Sequence, residues 1–353
     1  MPTQVSRRNF FKAATGAILG LLGGNAPTRN TATTDRSLEA LLNSSVIVEM
    51  RRNFPGSLPE LEILTALRTH KRLNVVFGGG GIRGIALIGF LRKAEELGID
   101  FTGVGGVSTG AVFGALYAAG YNSTELEKLA LETDFSHFLD GKGRSLKLLD
   151  PSIWVSVYEH MGTNPGKSLE TWLNSKLYAK NGYRLLKFKD VGKNLRILAA
   201  DVTHREPVVF DKKLTPESTV ASAARMSAGI PLIYYPYRRE GEERLVDGGI
   251  VSNMPMWLFK QGPTIGVRLV STATRPPQAP RNGIEFIGAL VGTVIDSRAT
   301  ADSLSAGPGR IVEIDTGDID PLDFGLNEAR KKELIFAGYK HAEEFFGAYA
   351  KIR

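Results

Sequence analysis

One serine in the sequence has the surroundings of a catalytic nucleophile. Ser108 lies in Gly106-Val107-Ser108-Thr109-Gly110, a G-x-S-x-G pattern that follows an apolar run and opens a helical segment. In that context the pattern is typical of a nucleophile elbow, a sharp turn that exposes the serine oxygen at the end of a strand. The alternative is a serine that only caps the following helix.

A nucleophilic serine needs a base within hydrogen-bond reach, and the usual base is histidine. None of the five histidines stands in a glycine-framed turn after an apolar run, although His341 would complete the order Ser, Asp, His. Asp247 does stand in such a turn, Asp247-Gly248-Gly249, which on its own would be an ordinary turn. We therefore favour a Ser108–Asp247 dyad, in which burial would raise the pKa of the aspartate and make it a better base.

A third glycine-rich segment, residues 78–84, separates an apolar run from a helical segment. Free N–H groups at such a helix start favour anions, whether a phosphate or a developing oxyanion. Gly79, Gly81 and Gly84 also match the dinucleotide pattern G-x-G-x-x-G, and Asp100 follows about twenty residues later. However, Asp100 precedes the second predicted strand, whereas a ribose-binding acid belongs at its end. A tight turn needed only for close packing is the remaining alternative.

Together the three motifs resemble the patatin-like phospholipase family. Its pattern is G-G-G-x-R/K-G, then G-x-S-x-G, then D-G-G/A, and residues 79–84, 106–110 and 247–249 match it in that order. Residues 221–231 are similar to the A-S-x-x-x-P block that precedes the aspartate in the family. Gly78 departs from the pattern, since plant patatins carry aspartate there.

The resemblance implies a carboxylic ester hydrolase acting on lipids. Ser108 would attack the ester carbonyl, Asp247 would act as general base, and Arg83 would orient the loop or contact a lipid phosphate. The N–H groups that would hold the oxyanion are those of Gly79, Gly80 and Gly81. No cofactor or metal is expected. The alternatives are a nucleotide-binding protein that uses the glycine loop and a non-catalytic lipid-binding scaffold.

Apolar segments near the predicted site would give a lipid ester access to it. The candidates are Ile153-Trp154-Val155 with Tyr158, and residues 230–237. A tryptophan and tyrosine cluster of this kind is typical of a transient contact with a membrane surface, although it also occurs in ordinary cores.

The elements that must position these motifs alternate between strand and helix, which predicts an α/β three-layer sandwich with a mostly parallel central sheet, as in patatins. A third helix would begin with a capping box made by Thr124 and Glu127. Strands are predicted at residues 73–77, 101–107, 196–200, 207–210, 264–270 and 310–315, and helices at residues 85–97, 109–119 and 327–350.

The composition is that of a globular chain with a large core. Of 353 residues, 42% are hydrophobic, and the absence of cysteine excludes disulfides and thiolate catalysis. Arg7, Arg8 and Lys12 account for the excess charge of the first 24 residues, without which the net charge falls from +7 to +4. The body has no basic cluster, so nucleic acid is not expected as a partner. The sequence indicates no oligomeric state.

The N-terminus has the composition of an export signal. Ser6-Arg7-Arg8-Asn9-Phe10-Phe11-Lys12 precedes twelve small or apolar residues and resembles a twin-arginine signal, with Phe11 where leucine is usual. The predicted organisation is a signal-like segment with linker at 1–36, a helical extension at 37–72 and the hydrolase domain at 73–353. The protein would then be periplasmic or secreted, and cytoplasmic if this interpretation is wrong.

Overall fold

An eight-stranded mixed sheet forms the centre of the computed structural model, which describes residues 59–141, 151–239, 242–272, 279–280, 283–306 and 309–351. Its strand order is β10-β9-β1-β2-β4-β8-β7, with β5 also paired to β4, and β3 and β6 form a separate two-stranded sheet. The strands are β1 (Arg72–Phe77), β2 (Asp100–Val107), β3 (Gly162–Asn164), β4 (Asn194–Asp201), β5 (Glu206–Asp211), β6 (Leu232–Tyr234), β7 (Tyr237–Arg238), β8 (Arg244–Asp247), β9 (Thr264–Val270) and β10 (Ile311–Asp315).

The five strands from β10 to β4 are parallel, whereas β5, β7 and β8 join by antiparallel pairing. The result is an α/β sandwich with a mostly parallel sheet, as predicted. The described helices are α1 (Pro59–Arg68), α2 (Ala86–Glu96), α3 (Thr109–Ala118), α4 (Ser123–Glu132), α5 (Pro151–His160), α6 (Lys167–Lys180), α7 (Val220–Ser227), α8 (Gly283–Ala306) and α9 (Glu328–Lys351). None of them is long and apolar enough to cross a membrane.

The apolar side chains of strands β1 and β2 pack against helix α2. Phe77, Phe90 and Phe101 are fully buried, with Phe90 edge-on to Phe77 and stacked on Phe101. Apart from Arg72, Asn74, Asp100 and Thr102, the residues of both strands are apolar, as expected for central parallel strands with helices on both faces. This core fixes the two strand ends from which the glycine loop and the G-x-S-x-G turn begin.

The strand order creates a switch point beside β1. The chain passes from β1 to β2 and β4 on one side, and later returns to β9 and β10 on the other. In open α/β sheets, ligands bind outside the carboxyl ends of strands where the order reverses. The loops that leave β1, β2 and β9 meet at this edge.

The predicted strands and helices are confirmed, with boundaries within about three residues. The capping box at the start of α4 differs: Asn122 and Glu125 form it, and Thr124 and Glu127 do not. Asn122 lies directly before the first helical residue and its side chain accepts the N–H of Glu125, so it takes the capping position.

Contacts divide the chain into two compact units, Leu58–Phe345 and residues 1–57 with 346–353. The second unit lies outside the described residues except for the last turns of α9. The predicted signal at 1–36 therefore also lies outside them, and of the predicted extension at 37–72 only residues 59–72 are described. The domain boundaries remain predictions.

Candidate active site

Ser108 occupies a strained turn between β2 and α3. Its φ of 54° and ψ of −129° lie in a region that L-residues rarely adopt. The turn is tight on both sides: a Cβ on Gly106 would lie 2.5 Å from the carbonyl oxygen of Gly110, and a Cβ on Gly110 would lie 2.3 Å from that of Phe77. Glycine is required at both positions, and the sharp turn places Ser108 between the end of β2 and the start of α3.

Ser227, at the end of α7, is hydrogen-bonded to this turn. It is fully buried, and its hydroxyl accepts the N–H of Ser108 at 2.9 Å while donating to the carbonyl of Leu198 at 2.6 Å. The elbow is thereby tied to β4. Ser227 lies in the block at 221–231 that resembles the A-S-x-x-x-P pattern, but the sequence did not indicate its contact with Ser108, which is 119 residues away.

Asp247 ends β8, which pairs with β4 and places the carboxylate next to the elbow. Asp247 is buried, and its carboxylate accepts the N–H of Gly249 at 2.7 Å, while the Ser108 hydroxyl lies near enough to the carboxylate to lower its pKa. Burial raises the pKa of Asp247 to about 6, although the Ser108 hydroxyl and the Gly249 N–H partly oppose the rise. The structure thus brings together the two residues that the sequence pairs.

The glycine loop lies beside Ser108, and the hydrogen bonding of its backbone N–H groups differs from one glycine to the next. The N–H of Gly79 donates to the backbone oxygen of Asn253 at 3.3 Å and to its side-chain oxygen at 3.2 Å. Of the three predicted oxyanion donors, the N–H of Gly79 is therefore already hydrogen-bonded to Asn253. Gly80 and Gly81 donate to no acceptor in the described part of the chain. Asn253 lies 174 residues away and carried no sequence signal.

Gly81 and Arg83 shape the second half of this loop. Gly81 has a φ of +58°, and a Cβ there would lie 2.0 Å from the carbonyl oxygen of Pro321. The Nε of Arg83 donates to the carbonyl of Gly80 at 3.3 Å, which agrees with a loop-orienting role, and Arg83 also lines the adjacent cavity.

Ser108 and Asp247 both line a cavity of about 640 Å³. Its walls are mostly apolar and come from the glycine loop, the ends of β8 and β9, and helices α5 and α8. A second, narrow apolar slot of about 60 Å³ reaches Ser108 from the other side, between α3 and α6. Volumes of 300–1,000 Å³ with few polar groups are typical of sites for small organic ligands. The predicted access residues Ile153 and Ile230–Ile233 do line the main cavity, whereas the side chain of Trp154 lies outside the described part.

No histidine lines this cavity, and all five lie in the described part. His341 lies on α9, where its Nδ1 is 2.8 Å from the carbonyl oxygen of Ala337. The alternative triad through His341 is therefore not formed. Asp100 starts β2 and forms an ion pair with Lys193, so it does not occupy the place of a ribose-binding acid.

Asp201, His204 and Glu243 form the one group of potential metal ligands within the described ranges, with their ligand atoms within 4.8 Å of one another. The carboxylate of Asp201 already accepts the N–H groups of Thr203 and His204 and contacts the His204 ring at 2.6 Å. The Glu243 carboxylate pairs with Arg239. These contacts account for Asp201 and His204 as the closure of the β4–β5 hairpin, and for Glu243 as the ion-pair partner of Arg239 between β7 and β8.

Comparison with protein families identifies a match to the patatin-like phospholipase profile over residues 75–260. The uncharacterized protein YqhO of Bacillus subtilis is 36% identical over 286 residues, which cover 76% of this chain and 96% of that protein. The uncharacterized protein R571 of Acanthamoeba polyphaga mimivirus is 26% identical over 77% of this chain and 92% of its own.

Of two further similarities, one covers only a short segment of this chain and the other has low sequence identity. A segment of 78 residues is 45% identical to neuropathy target esterase sws of Drosophila persimilis, covering 22% of this chain but only 5% of that protein. Among solved structures, VipD from Legionella pneumophila superposes with a TM-score of 0.53 at 18% identity, covering 78% of this chain and 67% of its own. The VipD similarity concerns the fold alone.

Proposed function

The chain belongs to the patatin-like phospholipase family, and from that membership we propose that it is a serine lipid acyl hydrolase with a Ser108–Asp247 dyad. Membership supports lipid hydrolysis at the level of the family. The observation that carries the proposal for this chain is that Ser108 and the buried Asp247, whose pKa the serine hydroxyl influences, both lie at the wall of one apolar cavity. The fruit-fly relative is named an esterase, which supports an ester as the bond that is cleaved.

In the first half-reaction the Ser108 oxygen attacks the ester carbonyl carbon while its proton passes to Asp247. The carbonyl oxygen becomes an oxyanion, for which the N–H groups of Gly80 and Gly81 are the available donors. Each such donor contributes roughly 3–4 kcal/mol to transition-state stabilisation in comparable hydrolases. The intermediate collapses when Asp247 returns the proton to the leaving alcohol, and the acyl group stays on Ser108.

The second half-reaction uses the same two residues with water as the nucleophile. Asp247 takes a proton from the water as it attacks the acyl-enzyme, and the Ser108 oxygen leaves and regains a proton from Asp247. A pKa of about 6 suits this work, because the carboxylate is ionised at neutral pH yet is a stronger base than an exposed aspartate.

Lipid esters are the substrate class that the site favours. The cavity of about 640 Å³ offers mostly apolar walls to an acyl chain, and the narrow slot beyond Ser108 offers a second apolar surface. Arg83 and Arg268 line the main cavity and are the cations that a phosphate-bearing head group would meet.

The test compares fatty-acid release by the wild type and the variant Ser108→Ala from phospholipids, lysophospholipids and acylglycerols. We expect the variant to lose at least about a thousandfold in rate while it keeps its thermal midpoint. Ser175→Ala is the matched control, because Ser175 is an exposed serine on α6. Equal release by wild type and Ser108→Ala would contradict the proposal.

We also propose that residues 1–36 direct export of the folded protein, on the basis of the Arg7-Arg8 pair and the short apolar stretch after it. Residues 1–40 fused to a folded reporter should carry it out of the cytoplasm. The matched variant Arg7→Lys with Arg8→Lys keeps the charge and should leave the reporter inside. Cytoplasmic retention of the unaltered fusion would contradict export.

A further inference from the structure

Helix α8 presents one of its faces to the active-site cavity. Val291, Ile295 and Ala299 line the cavity, together with Gly288 and Gly292. Their spacing of three and four residues places them on one side of the helix. The C-terminal half of α8 is fixed to the body of the protein: Asp302 accepts hydrogen bonds from the Ser252 hydroxyl at 2.9 Å and the Met254 N–H at 3.0 Å.

The opposite face of the N-terminal half is apolar and exposed. Phe286, Ile287, Leu290 and Val294 follow one another at helical spacing, and each side chain is between 42% and 53% exposed. Residues 286–295 contain no charged side chain. A surface helix of a soluble protein ordinarily carries polar residues on this side.

Helix α5 repeats this arrangement across the same cavity. Ile153 and Val157 line the cavity, whereas Val155 and Tyr158 point away from it, with Tyr158 90% exposed. Among the described residues, seven of the fifteen exposed large apolar side chains lie on α5 and α8. Such concentration beside one cavity indicates an interaction surface, since scattered apolar residues would need no explanation.

The chemistry of this surface favours lipid over protein. An apolar segment of ten residues is about 15 Å long, too short to span a bilayer and of the length seen in buried or interfacial helices. Because the outer face is exposed, burial in a core is excluded. Tyr158 adds the amphipathic ring that favours the boundary between lipid and water.

We propose that Val155, Tyr158, Phe286, Ile287, Leu290 and Val294, hereafter the rim, dock on a phospholipid surface and open the cavity toward it. A lipid leaving that surface would move from the outer faces of α5 and α8 to their inner faces, and so to Ser108, without crossing water. This inference rests on the proposed function only in its choice of lipid as substrate. Its test is therefore a binding measurement that needs no turnover.

The test measures sedimentation with phosphatidylcholine vesicles in the Ser108→Ala background, in which hydrolysis cannot alter the vesicles. The rim variant is Phe286→Glu with Leu290→Glu. Its matched control is Phe336→Glu with Leu214→Glu, since Phe336 and Leu214 are 66% and 63% exposed and lie outside the cavity. We expect the rim variant to lose at least about tenfold in vesicle partitioning, or about 1.4 kcal/mol, and the control to lose little.

The same pairs of substitutions, made in the chain with Ser108 intact, separate docking from catalysis. Hydrolysis of a soluble short-chain ester should be unchanged in the rim variant, whereas hydrolysis of vesicle lipid should fall with binding. If no ester is cleaved at all, the proposed function fails while the vesicle measurement still decides the docking surface. Equal vesicle binding by rim variant and control overturns the inference.

A second measurement does not depend on charged substitutions being tolerated. Because the chain lacks cysteine, Leu290→Cys and Leu214→Cys each accept a single environment-sensitive fluorophore. Vesicles should shift the emission of the label at residue 290 to the blue and leave that at 214 unchanged. A shift produced by raising the protein concentration without vesicles would instead identify a second copy of the chain as the occupant and overturn the lipid assignment.

Discussion

Replacing Asp247 with asparagine should abolish ester hydrolysis and at the same time stabilise the folded chain. Burial raises the pKa of Asp247 from 3.8 to about 6. A rise of that size corresponds to about 3 kcal/mol by which the ionised carboxylate disfavours the native state. Asparagine has nearly the same shape and carries no charge, so it removes this cost.

The sign of the pH dependence follows from the direction of the shift. A raised native pKa contributes stability that is complete below the unfolded value near 4 and is lost as pH rises through about 6. The wild type therefore weakens over that range, and the Asp247→Asn chain does not follow it. Their difference in unfolding free energy should be about 0.5 kcal/mol at pH 4, about half its full value at pH 5, and about 3 kcal/mol above pH 7.

Urea unfolding of both chains at several pH values measures this difference. Asp201→Asn serves as a control of opposite sign: burial alone would raise the pKa of Asp201, but hydrogen bonds from His204 and Thr203 outweigh it and lower the pKa. That variant should be less stable than the wild type at neutral pH, with a deficit that fades in acid. An Asp247→Asn chain whose advantage is absent above pH 7, or does not grow with pH, would refute the reasoning.

Three further predictions concern the same site. With a soluble ester, kcat/KM should rise with pH around a midpoint of about 6 and then level off, because Asp247 must be ionised to act as base; a profile that falls from pH 5 to 7 would contradict this. Ser227→Ala should lower kcat at least about tenfold with little change in KM, and unfolding free energy by about 1–3 kcal/mol, because a buried N–H and a buried carbonyl lose their partner. An unchanged kcat would exclude the positioning role. Gly81→Ala should lower the unfolding free energy by at least about 1 kcal/mol and reduce ester hydrolysis, because residue 81 has a positive φ and its Cβ would meet the backbone of Pro321. Gly347 lies in open space on α9, so Gly347→Ala should be neutral or stabilising in the same urea unfolding assay.

The chemistry of the site could be predicted because each motif combines a local turn with a functional residue. Ser108 needs small neighbours at 106 and 110 for steric reasons that act within five residues, and the structure shows those contacts directly. Asp247 stands in an Asp-Gly turn at the end of an apolar strand. Their proximity does not follow from a rule on parallel strand ends, because β8 is antiparallel to β4; it arises because β8 ends opposite Ala199, level with the end of β2 opposite Leu198.

The residues that hold the elbow and the glycine loop in place could not be predicted, because they come from distant parts of the sequence. Ser227 and Asn253 contact the elbow and the glycine loop from segments more than a hundred residues away. Ser227 lies in the block at 221–231 that resembles a family pattern, but that pattern does not indicate which residue it contacts, and Asn253 lies in no such pattern. Helix α8 was not predicted for a different reason: its first half is apolar on all sides and so lacks the periodicity that identifies a surface helix.

The apolar helices around the cavity also bear on the strength of the base. An aspartate without a histidine partner is a useful base only if its carboxylate is poorly hydrated, and burial is the largest influence on the pKa of Asp247. Inner-face residues such as Ile153 and Ile295 line the cavity into which that carboxylate faces. In the proposed hydrolase, the walls that would receive an acyl chain also exclude the water that would weaken the base. Under the proposed function, substrate binding and base strength are coupled through one set of apolar side chains, and a lipid that filled the cavity would increase both.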